Sequence, residues 1–560
     1  MKTKKTSVNR ETWQTTRSER LNYYIGDLGR TLEGYIVTAF MTLFLLFQGI
    51  NLVKISAAIL IVKIIDACDD VIFGFLIDKL NIRNNRLLGK LAGEGKYLPW
   101  YRATFFLFPI FTVIFFLMPQ EASDALKIGW FMVTYLLYDL SYTLVEVPMN
   151  SMIVSLTDNA DERNSILQFK GILSGIFTVL AGVVWMFLIS EHVGFSMRAV
   201  AIVSSAIFFI MMLPLATKVK EHNVELKNAK NEQETQHYTF RDMLECIKTN
   251  KYMAIILLST LIFSGLQTGS ALGTYASYYL YGDSMILVIP IAIAFVPQLI
   301  AQLNTERLCR RFGKKKVFMV CGLSGALIYS LIYFAGYRNF VLITILLVLQ
   351  AAPGNVSNIA KTFFTPDTIE YTRYKTGKDC SGIFFSLNAF LNKLTASISS
   401  SLGLFILGLS SWIAVEADSF EELAALNVVQ PQSALDTLWI VYMLIPAIGT
   451  ILGVAVMSLY KLRDKDAALM AKCNAGEISR AECDVAMYWA MFPHSGRYST
   501  MAPLIASPTN RIFSSLYISP MLPWVCPGSA ITSSVFPPRS NTSPSSSGVS
   551  LPIPPERNAS

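Results

Sequence analysis

Charge is scarce in this 560-residue chain: Asp, Glu, Lys and Arg together make up 15% of it, against 53% hydrophobic residues and a mean hydropathy of +0.44. Soluble domains carry roughly a quarter charged residues, so this is not the composition of an ordinary soluble enzyme. Histidine is scarcer still. The four present (His192, His222, His237, His494) all fall outside the apolar stretches, which argues against a histidine proton relay through a membrane. The eight cysteines form no CxxC pair and no metal-ligand spacing, so they are expected free and reduced. No GxxxxGK[ST] run is present, which removes the nucleotide-cradling loop that an ATP-driven machine would use. No metal-ligand set or nucleophile–base pair falls within the apolar stretches either. An intramembrane enzyme is therefore the weakest reading, and neither catalytic residues nor a cofactor are expected. The N-terminal MKTKKTSVNRETWQTTRSER is basic but lacks an adjoining small-residue cleavage site, so it reads as a cytoplasmic arm and not a signal peptide.

What the chain has in abundance is long apolar runs, among them VTAFMTLFLLFQGINL, ATFFLFPIFTVIFFLM, AVAIVSSAIFFIMMLPLA and FVLITILLVLQAAPG. A hydrocarbon core about 30 Å thick needs about 20 helical residues. Only helices or closed barrels can cross it, and unbroken apolar runs lack the alternation of a barrel strand. The reading is an all-α membrane protein with spans near 24–48, 53–78, 100–119, 128–155, 165–189 and 198–217, then 252–281, 285–304, 317–337, 340–364, 382–412 and 435–460. This divides the chain into an arm (1–22), a six-helix bundle (23–217), a charged central loop (218–251) and a second six-helix bundle (252–462).

The net charge of +8 would suit nucleic acid, but the basic residues sit in connections between spans. With the N-terminus inside, KLNIRNNRLLGKLAGEGK, the central loop, ERLCRRFGKKK and EYTRYKTGKD fall inside, while PQEASDALK, YGDSM and VEADSFEELAALN fall outside. Lys and Arg then lie on the inner side, as the positive-inside rule requires. Both termini are expected in the cytoplasm, with the chain a multi-pass, monomeric protein of the cell membrane and no nucleic-acid partner. Past Leu462 the chain reads as a short helical segment (463–494). Asn474 and Gly476 stop its first helix, and Ser479-x-x-Glu482 opens the second as a capping box. The Ser- and Pro-rich remainder (495–560) cannot bury a core and reads as disordered.

Charges occur where lipid should forbid them. The second span, VKISAAILIVKIIDACDDVIFGFLIDKL, carries Lys63, Asp66, Asp69 and Asp70. Residues three and four apart share a helix face, so Lys63, Asp66 and Asp70 form one polar stripe, with Asp69 at its edge. Each ionised group near the bilayer centre costs roughly 2.5–3.5 kcal/mol on insertion scales. Lys63 can neutralise only one of the three carboxylates, and the remaining oxygens suit a hard cation. The first span adds Asp27, Arg30 and Glu33, the fourth adds Tyr142, Thr143 and Glu146 just before Pro148, and the eleventh adds Lys393 near the midplane. Such groups either mark an ion or substrate pathway or form buried ion pairs that set helix register. Lys170 and Lys361 lie close to inner span ends and read by position as snorkelling anchors.

These motifs match a family. IIDACDDVIFGFLIDKL followed by GKYLPW, then YTLVEVPMNSMIVSLTDNADERNSI, then TPDTIEYTRYKTGKDCSGIFFSLNAFLNKL resemble, in order, the signatures of the glycoside–pentoside–hexuronide:cation symporters, the family of the melibiose permease. The resemblance runs from about Tyr23 to Leu462 and implies the major-facilitator fold, two six-helix bundles around a central cavity. It implies that Asp66 and Asp70 hold the coupling cation, directly as metal ligands if the ion is Na⁺, with Thr143 nearby. Asp69 stands where the family has an asparagine. It implies that Glu146, Tyr142 and Lys170 line the sugar site, and that Lys393 and Lys63 couple the two sites. The family's helix-one sugar-binding aspartate falls on Thr31, with Glu33 two residues on. The expected function is alternating-access symport of a sugar or glycoside with Na⁺ or H⁺. A lysolipid symporter of the same superfamily and a non-transporting solute sensor remain as alternatives.

Overall fold

The computed structural model describes residues 13–79, 95, 97–157, 159–222, 248, 250–377 and 381–490. Side chains at 67–79, 160, 270, 271, 386 and 488–490 are set aside. Asp69 and Asp70 therefore enter only through the backbone of their helix. The Ser- and Pro-rich segment and most of the central loop lie outside the described residues.

The N-terminal half consists of α1 (Arg17–Leu46), α2 (Leu52–Lys79), the pair α3 (Leu98–Thr104) and α4 (Leu107–Phe116), α5 (Asp124–Leu156), α6 (Ala160–Ile189) and α7 (Met197–Lys218). The C-terminal half begins with the pair α8 (Lys251–Gly265) and α9 (Gly269–Tyr281), followed by α10 (Val288–Phe312) and α11 (Lys314–Ala335). It continues with the pair α12 (Phe340–Thr362) and α13 (Phe364–Thr376), then α14 (Ser381–Gly408) and a short α15 (Phe420–Ala425). The twelfth span is α16 (Gln432–Trp439), a π-helical turn at Ile440–Leu444 and α17 (Ile445–Ser458). Helix or helix pair, each corresponds to one of the twelve apolar runs.

Local chemistry explains several boundaries. Thr16 and Glu19 form a reciprocal capping box that opens α1. Asn159 and Asn250 accept backbone N–H groups at the starts of α6 and α8. Beyond the spans, α18 (Asp464–Asn474) ends just before Gly476 in its left-handed conformation, and α19 (Arg480–Ala490) opens on the Ser479–Glu482 box.

The helices pack closely because small residues meet large ones. A Cβ on Gly29 of α1 would lie 2.9 Å from both the Phe208 carbonyl oxygen and the Met211 Cβ of α7; one on Gly453 of α17 would lie 2.7 Å from the Phe263 Cβ of α8. Only glycine lets these backbones approach so near. On the outside, Ile172, Ile176 and Leu180 of α6 and Phe295, Val296 and Leu303 of α10 are exposed. So much outward apolar surface suits lipid and not water.

One end of the bundle is sealed by the connection after α14. Gln48 and Glu416 form an antiparallel bridge, and the Ala417 N–H donates to the Phe47 carbonyl at 2.9 Å. Lys127 donates to the Gln48 carbonyl and to Glu416, each at 2.9 Å. Phe47 meets Phe420 edge-on with centroids 5.0 Å apart, and the Ser284 N–H donates to Glu191 at 2.8 Å. Apart from the Lys127–Gln48 hydrogen bond, these contacts join the N-terminal half to the C-terminal half. The contacts described at the opposite end, such as Thr15 with Glu162 and Lys314 with Asp367, stay within one half.

Candidate functional site

Among the described residues, two networks of paired charge lie inside the bundle. The first gathers on Asp66, which sits mid-helix, fourteen residues from the start of the 28-residue α2. The carboxylate is buried, and three groups converge on it. Lys63, one turn earlier, lies 3.1 Å from Oδ2; the Tyr135 hydroxyl of α5 donates to the same oxygen at 3.1 Å. Lys393 of α14, in the other half of the molecule, lies 2.7 Å from Oδ1. Lys63 also contacts the Tyr135 hydroxyl, and its ammonium stands 4.5 Å from the centre of that ring. The i,i+3 spacing on α2 brings Lys63 to Asp66, whereas only the packing of α2 against α14 brings Lys393 to it. Thr143 is buried on α5, eight residues beyond Tyr135.

The second group joins α1, α5 and α6. Arg30 lies 3.0 Å from Glu146 and 3.4 Å from Asp27, and donates to the Tyr142 hydroxyl at 3.2 Å and to Thr31 at 3.1 Å. Lys170 lies 2.9 Å from Asp27 and donates to Asn150 at 2.8 Å. Two carboxylates thus face two cations, so the group balances internally, as buried charges must. Glu146 keeps 31% of its side chain exposed while Arg30 and Asp27 are nearly closed off, at 7% and 1%. Glu146 is therefore the most exposed of these four charges.

Between the halves lies a cavity of about 1160 Å³. Lys63, Tyr135 and Tyr138 form part of its N-terminal wall. Gln267, Gln350, Asn355, Asn358, Lys361 and Asn392 give the C-terminal wall its amide and ammonium groups. Amide and hydroxyl groups both donate and accept hydrogen bonds, which matches a polyhydroxylated solute better than an acyl chain.

Several sequence expectations change here. Glu33 does not join the second group: it is buried between α1 and α7, accepting a hydrogen bond from Ser205 at 2.7 Å. Lys170 is no snorkelling anchor, because its ammonium turns inward to Asp27. Lys361 is none either. Lys361 lies in the last turn of α12, yet its ammonium reaches the Ser264 hydroxyl of α8 and faces the cavity. Two site residues escape the sequence reading: Tyr135 and Asp139, a further buried carboxylate on α5. The signal was present: Tyr135, Asp139, Tyr142 and Glu146 recur at helical spacing along one stripe.

Among the described residues, twelve spans in two halves, sealed at one end over a cavity with an amide-bearing wall and bridged at mid-depth by a lysine–aspartate pair, define a major-facilitator transporter. The chain belongs to the MFS/sugar transport protein family, whose match covers residues 22–464, and within it to the glycoside–pentoside–hexuronide:cation symporters that its motifs resemble. It is 26% identical over 469 residues to the isoprimeverose transporter of Lactiplantibacillus pentosus, covering 81% of this chain and 90% of that one. It is 24% identical over 463 residues to the glucuronide carrier protein homolog of Escherichia coli (strain K12), covering 81% and 93%. In fold it is similar to the nucleoside transporter NupG, with a TM-score of 0.53 at 16% identity over 80% of this chain and 100% of that one. It is also similar to a bacterial homologue of the lysosomal transporter Spinster in an inward-facing, occupied conformation. That TM-score is 0.50 at 11% identity, over 79% of this chain and 94% of that one.

Proposed function

We propose that this protein is a secondary active transporter that moves a sugar or glycoside together with Na⁺ or H⁺ by alternating access. The observation that carries the reading is the Lys393–Asp66 pair. It ties a basic residue of one half to an acidic residue of the other beside the cavity, where a cation arriving at Asp66 competes with the lysine for the same carboxylate. Binding of the ion then releases a link between the halves, the differential contact that a conformational switch requires.

Under this reading Asp66 and Asp70 hold the cation, supported by Asp69 and Thr143. Glu146, Tyr142, Thr31 and Lys170 contribute to the solute site, and Lys393 and Lys63 couple the two. No further cofactor is needed, because one charge crossing 100 mV supplies about 2.3 kcal/mol, or roughly fifty-fold accumulation. The protein acts as a carrier and not an enzyme, as a monomer in the cell membrane. With both termini cytoplasmic, the sealed end faces outward. The cavity's amide-rich wall favours a polar solute over the lysolipid alternative.

The test is uptake of a sugar and glycoside panel into proteoliposomes under imposed Na⁺ or H⁺ gradients, alongside lysolipids. Gradient-driven accumulation of a sugar supports the reading. Binding without accumulation would make the protein a sensor instead.

A further inference from the structure

Lys361 has no place in the cation site or in the Asp27–Arg30–Glu146–Lys170 network. It projects from α12 into the cavity wall, where its ammonium donates to the Ser264 hydroxyl of α8 at 2.8 Å and stands 5.1 Å from the centre of the Phe263 ring. Among the described residues no carboxylate pairs with it. The other ammonium in the wall, Lys63, is already matched by Asp66. The described residues of the wall include two lysines, a set of glutamines, asparagines, serines and threonines, and neither aspartate nor glutamate.

A positive group facing a solute cavity with only neutral hydrogen-bond partners is one half of an ion pair. The other half can enter with the substrate. We propose that the solute is anionic, a sugar or glycoside bearing one carboxylate or sulfonate, and that Lys361 is the residue that recognises this charge. The proposal rests on the symport reading and narrows its substrate class. The hydroxyls meet the amides of Gln267, Gln350, Asn355 and Asn358, and the anion meets the ammonium of Lys361 on the Ser264 side. Lys361 stands on α12 and Asp66 on α2, so the cation and the anionic solute would have different partners in the one cavity.

The full chain in proteoliposomes supplies the test, by competition in solute counterflow. The probes are methyl β-D-glucoside, methyl β-D-glucuronide and the 6-deoxy-6-sulfo analogue of the glucoside. In the wild type the two anionic probes compete about tenfold better than the neutral one, as expected when a charge-assisted hydrogen bond replaces a neutral one. Lys361→Gln removes that preference by weakening the anionic probes about tenfold and leaving the glucoside within about twofold. Lys361→Arg retains it, which also controls for folding. Whichever anionic probe competes better identifies carboxylate or sulfonate. Wild-type preference for the glucoside, or equal weakening of all probes in Lys361→Gln, overturns the proposal. If the glucoside is then still accumulated under a cation gradient, the symport reading survives it. If no probe competes and no sugar is accumulated, both fail.

Discussion

The Lys393 ammonium on α14 lies 2.7 Å from Oδ1 of Asp66 on α2, so the two halves of the molecule share one carboxylate at mid-depth. Lys63 and Tyr135 hold the other oxygen of that carboxylate. A cation that binds here must displace or redistribute these partners.

Asp66→Asn keeps the shape of the side chain and removes the charge that two lysines face. Gradient-driven accumulation is expected to disappear, while solute exchange across the membrane continues. The check is a pair of assays on the same reconstituted variant, concentrative uptake and counterflow. Normal accumulation in the variant would refute the role given to Asp66.

Glu146→Gln is expected to act on the solute. A hydrogen bond to a charged group is worth roughly 1.5–3 kcal/mol against about 1 for a neutral pair. Solute affinity should therefore fall on the order of several-fold to thirty-fold, with cation binding measured in the absence of solute nearly unchanged. Arg30→Gln leaves Glu146 and the buried Asp27 without that cation, so it should lower thermal stability as well. Titrations of cation alone and of solute at saturating cation separate the two effects.

The seal can be locked. Residues opposed in an antiparallel bridge have Cα atoms about 4.5–5.5 Å apart, within the range a disulfide spans. Gln48→Cys with Glu416→Cys should cross-link on oxidation, arrest transport and recover on reduction. Full transport in the oxidised, cross-linked protein would show that this end need not open.

A pH effect is expected outside the membrane. The Ser479 backbone N–H, and then its hydroxyl, hold the Glu482 carboxylate below its ordinary value of 4.5. A carboxylate lowered in the folded state contributes above its unfolded value, and that contribution is lost as pH falls through the folded one. Amides at the start of α19 should therefore exchange faster at about pH 3.5 than at pH 7, after correction for intrinsic rates. Ser479→Ala should remove the difference.

Much of this architecture is legible in the amino-acid sequence, because lipid imposes two strong constraints. Backbone groups must be satisfied within each span, so twelve apolar runs become twelve helical spans. Charge within a span is costly, so Asp66, Lys63, Glu146 and Lys393 stand out as soon as the runs are marked. Helix ends follow from side chains only a few residues away, as the Ser479–Glu482 box shows.

Partnership is what the sequence leaves undecided. Asp27, Arg30 and Glu33 occupy one short stretch of α1, yet Arg30 turns to Glu146, Asp27 to Lys170, and Glu33 to Ser205 on α7. Each choice depends on which helix lies against which face, and helical periodicity carries no record of neighbours distant in the chain. Lys361 makes the point most clearly. Its helix ends within a turn of it, as the sequence suggests, yet its side chain turns to Ser264 and the cavity. The spans, the stripe of charge on α2 and the local caps depend on residues within a few turns of one another, so they can be read along the chain. That Lys393 reaches Asp66 and Lys361 faces the cavity depends on how distant helices pack, which no local stretch of residues encodes.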